Sequence, residues 1–528
     1  LKAMNLQRRI GTLMHAIGDH KRFAMAVATY DVPRIRQLVR IALSQSASPK
    51  EIVRRIELAM AGLKKTCSYE ENDFDLGLLC LQLGGPKLVY ALQHAGASPA
   101  LSTIRKHAVK CNVVISVGRP KALDIQQNLK TFWGSRLTGV GQMSGHSLLM
   151  DEINLEERGR YLSSSNIIVG LCREHGHTVN PSVTSIETVQ AVAKAIQEGH
   201  CHLGKEATVC AIGRFAKDNY NISPVLLSPT CKTETAEDSR IWIQSILHQW
   251  KTFPDGELKW GPIWSVASDG DATRQKAFHL LLMDKSLRLG EPLWDELGAL
   301  QLMNLQTGPD NVTMDFDFKH IFKRFATQIR SPDGTMLAMT VITRDTIAKE
   351  LSRLEGLSAT EIAALIDPAD HQNVPKAVRL LQRISEVTTL PTIGLSPTEL
   401  KIRKAICILG TLLEAVISPF VVPTWNLSQQ LESLALASHL ALYGMYKHGT
   451  AFISGQLYHD LQCMIKNAFF CVAKQRLLNP AEGFYFCQLG DDRLEGRFGT
   501  VRTLTHDRNV DALQLAEASI CRASRKDF

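Results

Sequence analysis

Between about residue 145 and residue 332 the chain alternates two kinds of apolar pattern, and that alternation restricts the fold more than any other feature. Ser147-Leu-Leu-Met150 is a short apolar run that ends at Asp151-Glu152. Ile167-Ile-Val-Gly170, Ala207-Thr-Val-Cys-Ala-Ile212 and Ile222 to Leu227 follow, each short and bounded by Gly, Asn, Pro or Ser. Runs of this length and composition read as β-strands. Thr235 with Asp238 three residues later is a helix N-terminal signature, and behind it Trp242, Ile246 and Trp250 share one helical face, with Ile243 and Leu247 beside them. Ile263-Trp-Ser-Val-Ala267 is a further strand ending at Asp269-Gly270-Asp271, and Asn311 to Phe316 another, leading into a helix from His320 to Ile329. Strand ending in an acid, further strands, helix, strand ending in an acid, helix, strand, helix is the order of an α/β, RNase H-like fold: a mixed sheet flanked by helices.

The flanking regions differ in texture. Residues 1 to about 144 read as a helical N-terminal region, with Ile52, Ile56, Met60 and Leu63 at helical spacing and breaks at Ser98-Pro99 and Gly118-Arg119-Pro120. Residues 333–487 are again mainly helical, as in Thr346 to Leu354 and Leu427 to Met445. Asp491 to Arg502 reads as a helix with Glu495, Phe498 and Arg502 on one side. The expected division is therefore 1–144, a first part of the core at 145–332, an insertion at 333–487, and a C-terminal catalytic helix and tail at 488–528.

The acids at the strand ends carry the functional expectation. Phosphodiester cleavage with two divalent cations needs carboxylate oxygens converging on metals about 4 Å or less apart, and Mg²⁺ or Mn²⁺ takes oxygen ligands. A sheet fixes such acids while its loop side stays open to substrate. For any single aspartate, a turn or helix cap is the simpler reading; the combination of Asp151 and Asp269 with a distant Glu495 outweighs it. The 226 residues from Asp269 to Glu495 exceed any simple connection, so an inserted domain must precede the glutamate.

Four local patterns resemble the P-element-like, THAP-type DDE transposases. Met150-Asp-Glu-Ile153 is similar to that family's first catalytic strand, and Ser268-Asp-Gly270 followed by Thr273-Arg274 to its second. Asp317-Phe-Lys-His-Ile-Phe-Lys323 resembles the D-P-P-H-L-x-K segment, with Phe318-Lys319 where the family has Pro-Pro. Gln488 to Arg502, containing Asp492-Arg-Leu-Glu495, Phe498 and Val501-Arg502, resembles the segment that supplies the third acid. Smaller echoes lie at Gly84-Gly85-Pro86 and at Asn373-Val374 with Ala377 through Ile384. The resemblance implies Asp151, Asp269 and Glu495 as catalytic metal ligands for Mg²⁺ or Mn²⁺, with His320 and Lys323 near them. Asp271 is a backup ligand, on the same face as Asp269 if the strand continues. It further implies cutting and joining of DNA at transposon ends and target, a homo-oligomer, a nuclear location, and GTP bound in the insertion, for which no residue motif is visible. The family begins with a zinc-binding DNA-recognition domain that this sequence lacks, which fits truncation or domestication. A domesticated, catalytically inactive DNA- or protein-binding descendant is the alternative; a purely helical scaffold does not account for the acid-tipped strands.

Other signals are weaker. Gly199-His-Cys-His-Leu-Gly204-Lys205-Glu206 approaches a phosphate-loop spacing but ends in Glu and precedes a strand, whereas that loop must follow a strand and open a helix. Cys172, His175, His177, His200, Cys201 and His202 have the atoms that bind zinc, at a spacing that matches no standard module. Basic residues from Arg105 and Lys106 through Lys130 to Arg136 could meet phosphates or simply face solvent. Trp425, Tyr443, Tyr446 and Phe469 read as core. A net charge of +8 and a pI near 8.8 permit a polyanionic partner without requiring one. Twelve cysteines without a dense framework suit reduced thiols in an intracellular compartment. The chain opens at Leu1 with no leader pattern, so no signal peptide is expected, and a preceding module is left open. The most apolar stretch, Ala405 to Trp425, is interrupted by Glu414, Pro419 and Pro423 and reads as a buried helix in a soluble protein, not a membrane span.

Overall fold

The computed structural model describes residues 2–29, 35–61, 69, 71–95, 97–108, 113–134, 143–217, 219–505 and 509–523; Leu63 and Arg136 lie outside them. The chain divides into two compact units, Leu1–Cys111 and Asn112–Phe528.

The first unit holds helices α1 (Lys2–Thr29), α2 (Ile35–Ser44), α3 (Pro49–Met60), α4 (Glu71–His94) and α5 (Leu101–Ala108). The Ser48 side chain starts α3 by accepting the Glu51 N–H, with Pro49 in the first turn. Ile52 and Ile56, one turn apart, are buried with Leu38 and Ala42. Within α4 the chain bends at Gly85, whose φ of 68° precedes Pro86.

The second unit opens with α6 (Ala122–Trp133), followed by β1 (His146–Asn154), the short strands β2 (Arg160–Leu162) and β3 (Ile167–Val169), α7 (Ile186–Gln197), β4 (Glu206–Arg214) and β5 (Ile222–Thr230). Then come α8 (Ala236–Thr252), α9 (Glu257–Trp260), β6 (Ile263–Ser268), α10 (Ala272–Leu282), β7 (Lys285–Ser286), α11 (Pro292–Leu297), β8 (Gln306–Thr307), β9 (Thr313–Phe316) and α12 (Phe318–Arg330). The main sheet has five strands in the order β5-β4-β1-β6-β9. β1 is antiparallel to β4 and parallel to β6, and β6 is parallel to β9. This is the mixed, helix-flanked sheet of the RNase H-like class.

Side-chain alternation on β1 sets the two faces. Leu148 and Met150 join α6, α8 and α10 in the larger core, where Trp133, Trp250 and Trp260 meet edge to face. Leu149 and Ile153 join a second cluster built with α19 (Asp492–Thr505) and α20 (Ala512–Ala523) through Leu494, Phe498, Val501 and Leu515. Thr235 and Asp238 form the expected capping box of α8, and Trp242, Ile243, Ile246 and Trp250 are buried on its inner face.

Two expectations need correcting. Ile167–Val169 forms a two-stranded hairpin with Arg160–Leu162 and is no part of the main sheet: its apolar content marks a strand but not a partner. The first main-sheet strand begins at His146 and the helix before it is α6, but α6 belongs to the second compact unit, which starts at Asn112. Ile115 bridges to Leu227 of β5, and α6 packs Ile125, Leu129 and Trp133 onto the sheet, because that apolar face needs covering. Tyr443 and Tyr446 are exposed, since the inward stripe of their helix is Leu434, Ala437, Ala441 and Gly444.

From 333 to 487 a small hairpin, β10 (Thr335–Leu337) and β11 (Thr340–Ile342), precedes α13 (Arg344–Leu351), α14 (Ala359–Ile366), α15 (Val374–Glu386), α16 (Pro397–Val421), α17 (Leu427–His448) and α18 (Gly455–Leu478). By length and composition α16 could cross a membrane; here it packs between α15 and α17, and its buried Arg403 is paired with buried Glu350. Its apolar residues continue the core of the sheet rather than forming a separate one. α18 lies against β9 and β6: Asn467 Oδ1 accepts from the Thr313 hydroxyl at 2.6 Å, and Lys474 Nζ donates to the Trp264 carbonyl at 2.8 Å. A helix along the edge strand protects its unpaired side.

Candidate active site

The three parallel strands β1, β6 and β9 bring three aspartates to one end of the sheet. Pairing between β1 and β6 runs to Leu149 and Ala267, so β1 continues past its neighbour and carries Asp151 beyond the last shared rung. Asp269 directly follows β6, and Asp317 directly follows β9. In open sheets the loops outside the carboxyl ends of parallel strands are where ligands bind. Asp151 has the same parity along β1 as Leu149 and Ile153, the face that α19 covers. That helix and the turn before it supply Asp491 and Glu495.

Electrostatics show how closely these acids crowd. Burial, reinforced by the charge of Asp269, pushes the Asp151 carboxyl up to about 7. Asp269 goes the other way: despite burial, the charges of Arg274 and His320 and the Asp271 N–H hold it below the usual carboxylate value. Asp491 is fully buried, and among the described residues neither carboxylate oxygen has a hydrogen-bond partner. Burial, with the charges of Asp317, Asp151, Asp269 and Glu495, raises its pKa well above normal. An orphaned buried carboxylate surrounded by others is a set of hard oxygen donors short of a cation, which is the environment a divalent metal fits.

His320 links Glu495 to the strand-end acids. Its Nδ1 lies 2.9 Å from Asp317 Oδ2, and its Nε2 lies 3.2 Å from Lys323 Nζ and 3.8 Å from Glu495 Oε1. Burial opposes protonation of the ring, but the bond to Asp317 and the charges of Asp317 and Glu495 outweigh it and raise the pKa. Asp317 also caps α12 by accepting the His320 N–H at 2.8 Å, which fixes the ring's starting point. Lys323 is shared between His320 and Gln372 Oε1.

The supports come from both halves of the unit. Buried Arg274 of α10 donates to the Met150 carbonyl at 3.3 Å and the Ser268 hydroxyl at 3.0 Å, and pairs with Glu152. The loop after β6 is held from the other side by Arg324 of α12, which donates to the Asp269 and Gly270 carbonyls at 3.3 Å. Gln456 of α18 donates to the Gly270 carbonyl at 2.7 Å, and Asp460 of the same helix pairs with Arg324. Gly270 has a φ of 86°, and a Cβ there would sit 2.7 Å from Asp460 Oδ2, so the turn needs glycine on both counts.

Among the described residues, two sets of three or more ligand-type side chains have their donor atoms within 4.8 Å of one another: Asp317, His320 and Asp491 at this site, and a cysteine–histidine set. Asp151, Asp269 and Glu495 adjoin the first set without forming one of their own. Asp271 is a correction: β6 stops at Ser268, and the exposed Asp271 side chain caps α10 by accepting the Thr273 and Arg274 N–H groups. It is therefore engaged away from the acids. Sequence reasoning missed Asp317 and Asp491 as site residues. Asp317 ends a strand just as Asp269 does, and that signal was legible; the burial of Asp491 depends on α19 docking and was not.

No family model matches the sequence, and no curated protein aligns with it significantly. Among solved structures, the Drosophila P element transposase strand transfer complex is similar. The TM-score is 0.57 at 12% identity, covering 89% of this chain and 96% of that one. At that identity the likeness is one of fold, and the fold is transposase-like.

Proposed function

We propose that this chain is a transposase-like enzyme that cuts and joins DNA strands with divalent cations held by Asp151, Asp269 and Glu495, and by Asp491 beside them. The observation that carries the reading is the gathering of carboxylates at the ends of β6 and β9, along β1 and at the start of α19, where the Asp491 carboxylate has no hydrogen-bond partner among the described residues and burial with neighbouring acids raises the pKa values of Asp151 and Asp491. Bound Mg²⁺ or Mn²⁺ would supply Lewis acidity and an activated oxygen nucleophile. The chain's own residues do the positioning. Arg274, Arg324 and Gln456 fix the Asp269 loop, and Asp317 orients His320 toward Glu495. A cleft of 760 Å³ beside Glu495 is lined by Lys319, Arg379 and Arg383 together with Glu386, and the three bases are paired with Asp492, Glu361 and Glu386 respectively. Work on chromosomal DNA belongs in the nucleus.

The test is metal-dependent nicking of transposon-end DNA by the parent and by Asp269→Asn. Loss of a ligand charge should lower cleavage by several orders of magnitude while DNA binding persists, since metal stabilisation supplies several kcal/mol and each ~1.4 kcal/mol is tenfold. Equal nicking by the variant refutes the assignment. A parent that binds DNA but never nicks it, in Mg²⁺ or Mn²⁺, points instead to a non-catalytic binding protein.

A further inference from the structure

The second ligand-type set has no part in the acidic site. Cys172 and His175 lie on the loop after β3, His202 on the loop before β4, and Cys231 immediately after β5. Their donor atoms all fall within 4.8 Å of one another. Cys172 Sγ is 3.4 Å and Cys231 Sγ 3.5 Å from the same atom, His175 Nδ1, and the rings of His175 and His202 have centroids 4.3 Å apart. We propose that Cys172, His175, His202 and Cys231 bind one structural Zn²⁺.

Three observations carry the assignment. The first is metric. Zinc bonds of about 2.3 Å to sulfur and about 2.1 Å to nitrogen, at tetrahedral angles, put sulfur and nitrogen about 3.6 Å apart along the tetrahedron's edge. The two sulfur–nitrogen separations here are of that length, so a cation can enter without rebuilding the loops. The second is chemical: two thiols and two imidazoles with no carboxylate are the soft, closed donor set that selects zinc over Mg²⁺ or Ca²⁺.

The third is structural need. α7 and the loops around it rest on a small apolar cluster of Leu171, Val192 and Cys201 with half-buried Val117, Ile168 and Leu203 beside it, while the hairpin β2–β3 also reaches the second core cluster through Val169; small cores are commonly stapled by metal. Backbone pairing already sets the ligands in place. The Cys172 N–H donates to the His202 carbonyl at 2.9 Å, and the Arg173 N–H to the Pro229 carbonyl at 2.8 Å. The Cys231 N–H donates to Glu174 Oε2 at 3.1 Å. The neighbouring candidates are otherwise occupied: Cys201 is buried in the apolar cluster, exposed His200 lies 3.5 Å from Glu198, and His177 is exposed.

The site also steadies the sheet. Arg173, between two ligands in sequence, donates to Thr208 Oγ1 at 2.8 Å, and Thr208 donates to Glu152 Oε1 at 3.0 Å. Glu152 is the partner of Arg274. The metal thus anchors one end of a hydrogen-bonded chain whose other end lies beside Asp151 and Asp269.

The experiment is metal analysis of the full chain, purified under reducing conditions without chelator. About one zinc per chain is expected, as for a closed structural site. Cys172→Ser and Cys231→Ser should fall to background, whereas Cys201→Ser and Asp269→Asn keep the full content, which separates this site from the acidic one. To keep the test independent of whether the serine variants fold, the wild-type chain is also stripped with chelator and titrated with Co²⁺. A thiolate-to-cobalt charge-transfer band saturating at about one equivalent, and bleached by zinc, is expected. A wild-type chain that carries no zinc and stays silent to cobalt overturns the proposal, and so does a Cys172–Cys231 disulfide persisting in reductant. Loss of zinc from Cys201→Ser as complete as from Cys172→Ser would overturn this ligand set.

Discussion

Asp151→Asn should make the metal-free protein more stable at pH 8 than the parent. Burial and the charge of Asp269 push the Asp151 carboxyl up to about 7 from a usual 3.8. Between about pH 4 and pH 7 the folded state therefore holds a proton that the unfolded state has released, and stability falls as pH rises. A rise from 3.8 to about 7, at about 1.36 kcal/mol per pH unit, is on the order of a few kcal/mol. That is a ceiling, since the side chain keeps some solvent exposure. Asparagine keeps the shape and can still accept the Glu152 N–H that Asp151 accepts at 2.7 Å. The assay is urea unfolding of both proteins in chelator from pH 4 to pH 8, repeated in Mg²⁺. The midpoints should coincide near pH 4 and separate as pH rises, the variant being the more stable. Mg²⁺ should then stabilise the parent more than the variant, because cation binding to the folded state adds stability by mass action. A pH-independent gap, or equal Mg²⁺ gains in both proteins, would refute the claim that Asp151 is strained by its acidic neighbours and relieved by a cation.

Two further substitutions separate neighbouring roles. Asp271→Ala removes the cap of α10 and should cost about 1 kcal/mol in unfolding midpoints, while nicking by the folded fraction stays at parent level; a collapse of nicking would return Asp271 to the ligands. Gly270→Ala meets both the positive φ and the contact with Asp460, so it should cost about 1–3 kcal/mol and lower nicking by displacing Asp269. Parental stability and activity in that variant would show that the loop is not clamped as described.

Much of this was readable from local pattern. The strand runs at 147–150, 207–212, 222–227 and 263–267, the capping box at Thr235 and Asp238, and the buried face of α8 depend on residues within one or two turns of each other. Period and capping chemistry act over that range, so the α/β class and the position of Asp269 after β6 followed from sequence, whereas β1 runs on past Asp151 to Asn154 because β4 pairs with it there.

What the sequence could not decide was partnership. The apolar run at 167–169 looks like any core strand, yet it pairs with its hairpin partner and with Ser182 instead of joining the main sheet. Asp271 lies two residues from Asp269, and only the end of β6 at Ser268 turns one into a cap and leaves the other at the site. Cys172, His175 and His202 stood among six candidates of equal merit, and Cys231, the residue that completes the set, stood outside them because only the β4–β5 pairing returns the chain to that point. Asp491 is an ordinary acid in a turn until α19 docks on β1 and excludes water from both its oxygens. By itself the sequence determined which residues form elements and which can carry charge or bind metal. The tertiary structure alone decided which of them meet and how dry their meeting place is, because proximity and desolvation are set by long-range packing that no local spacing encodes.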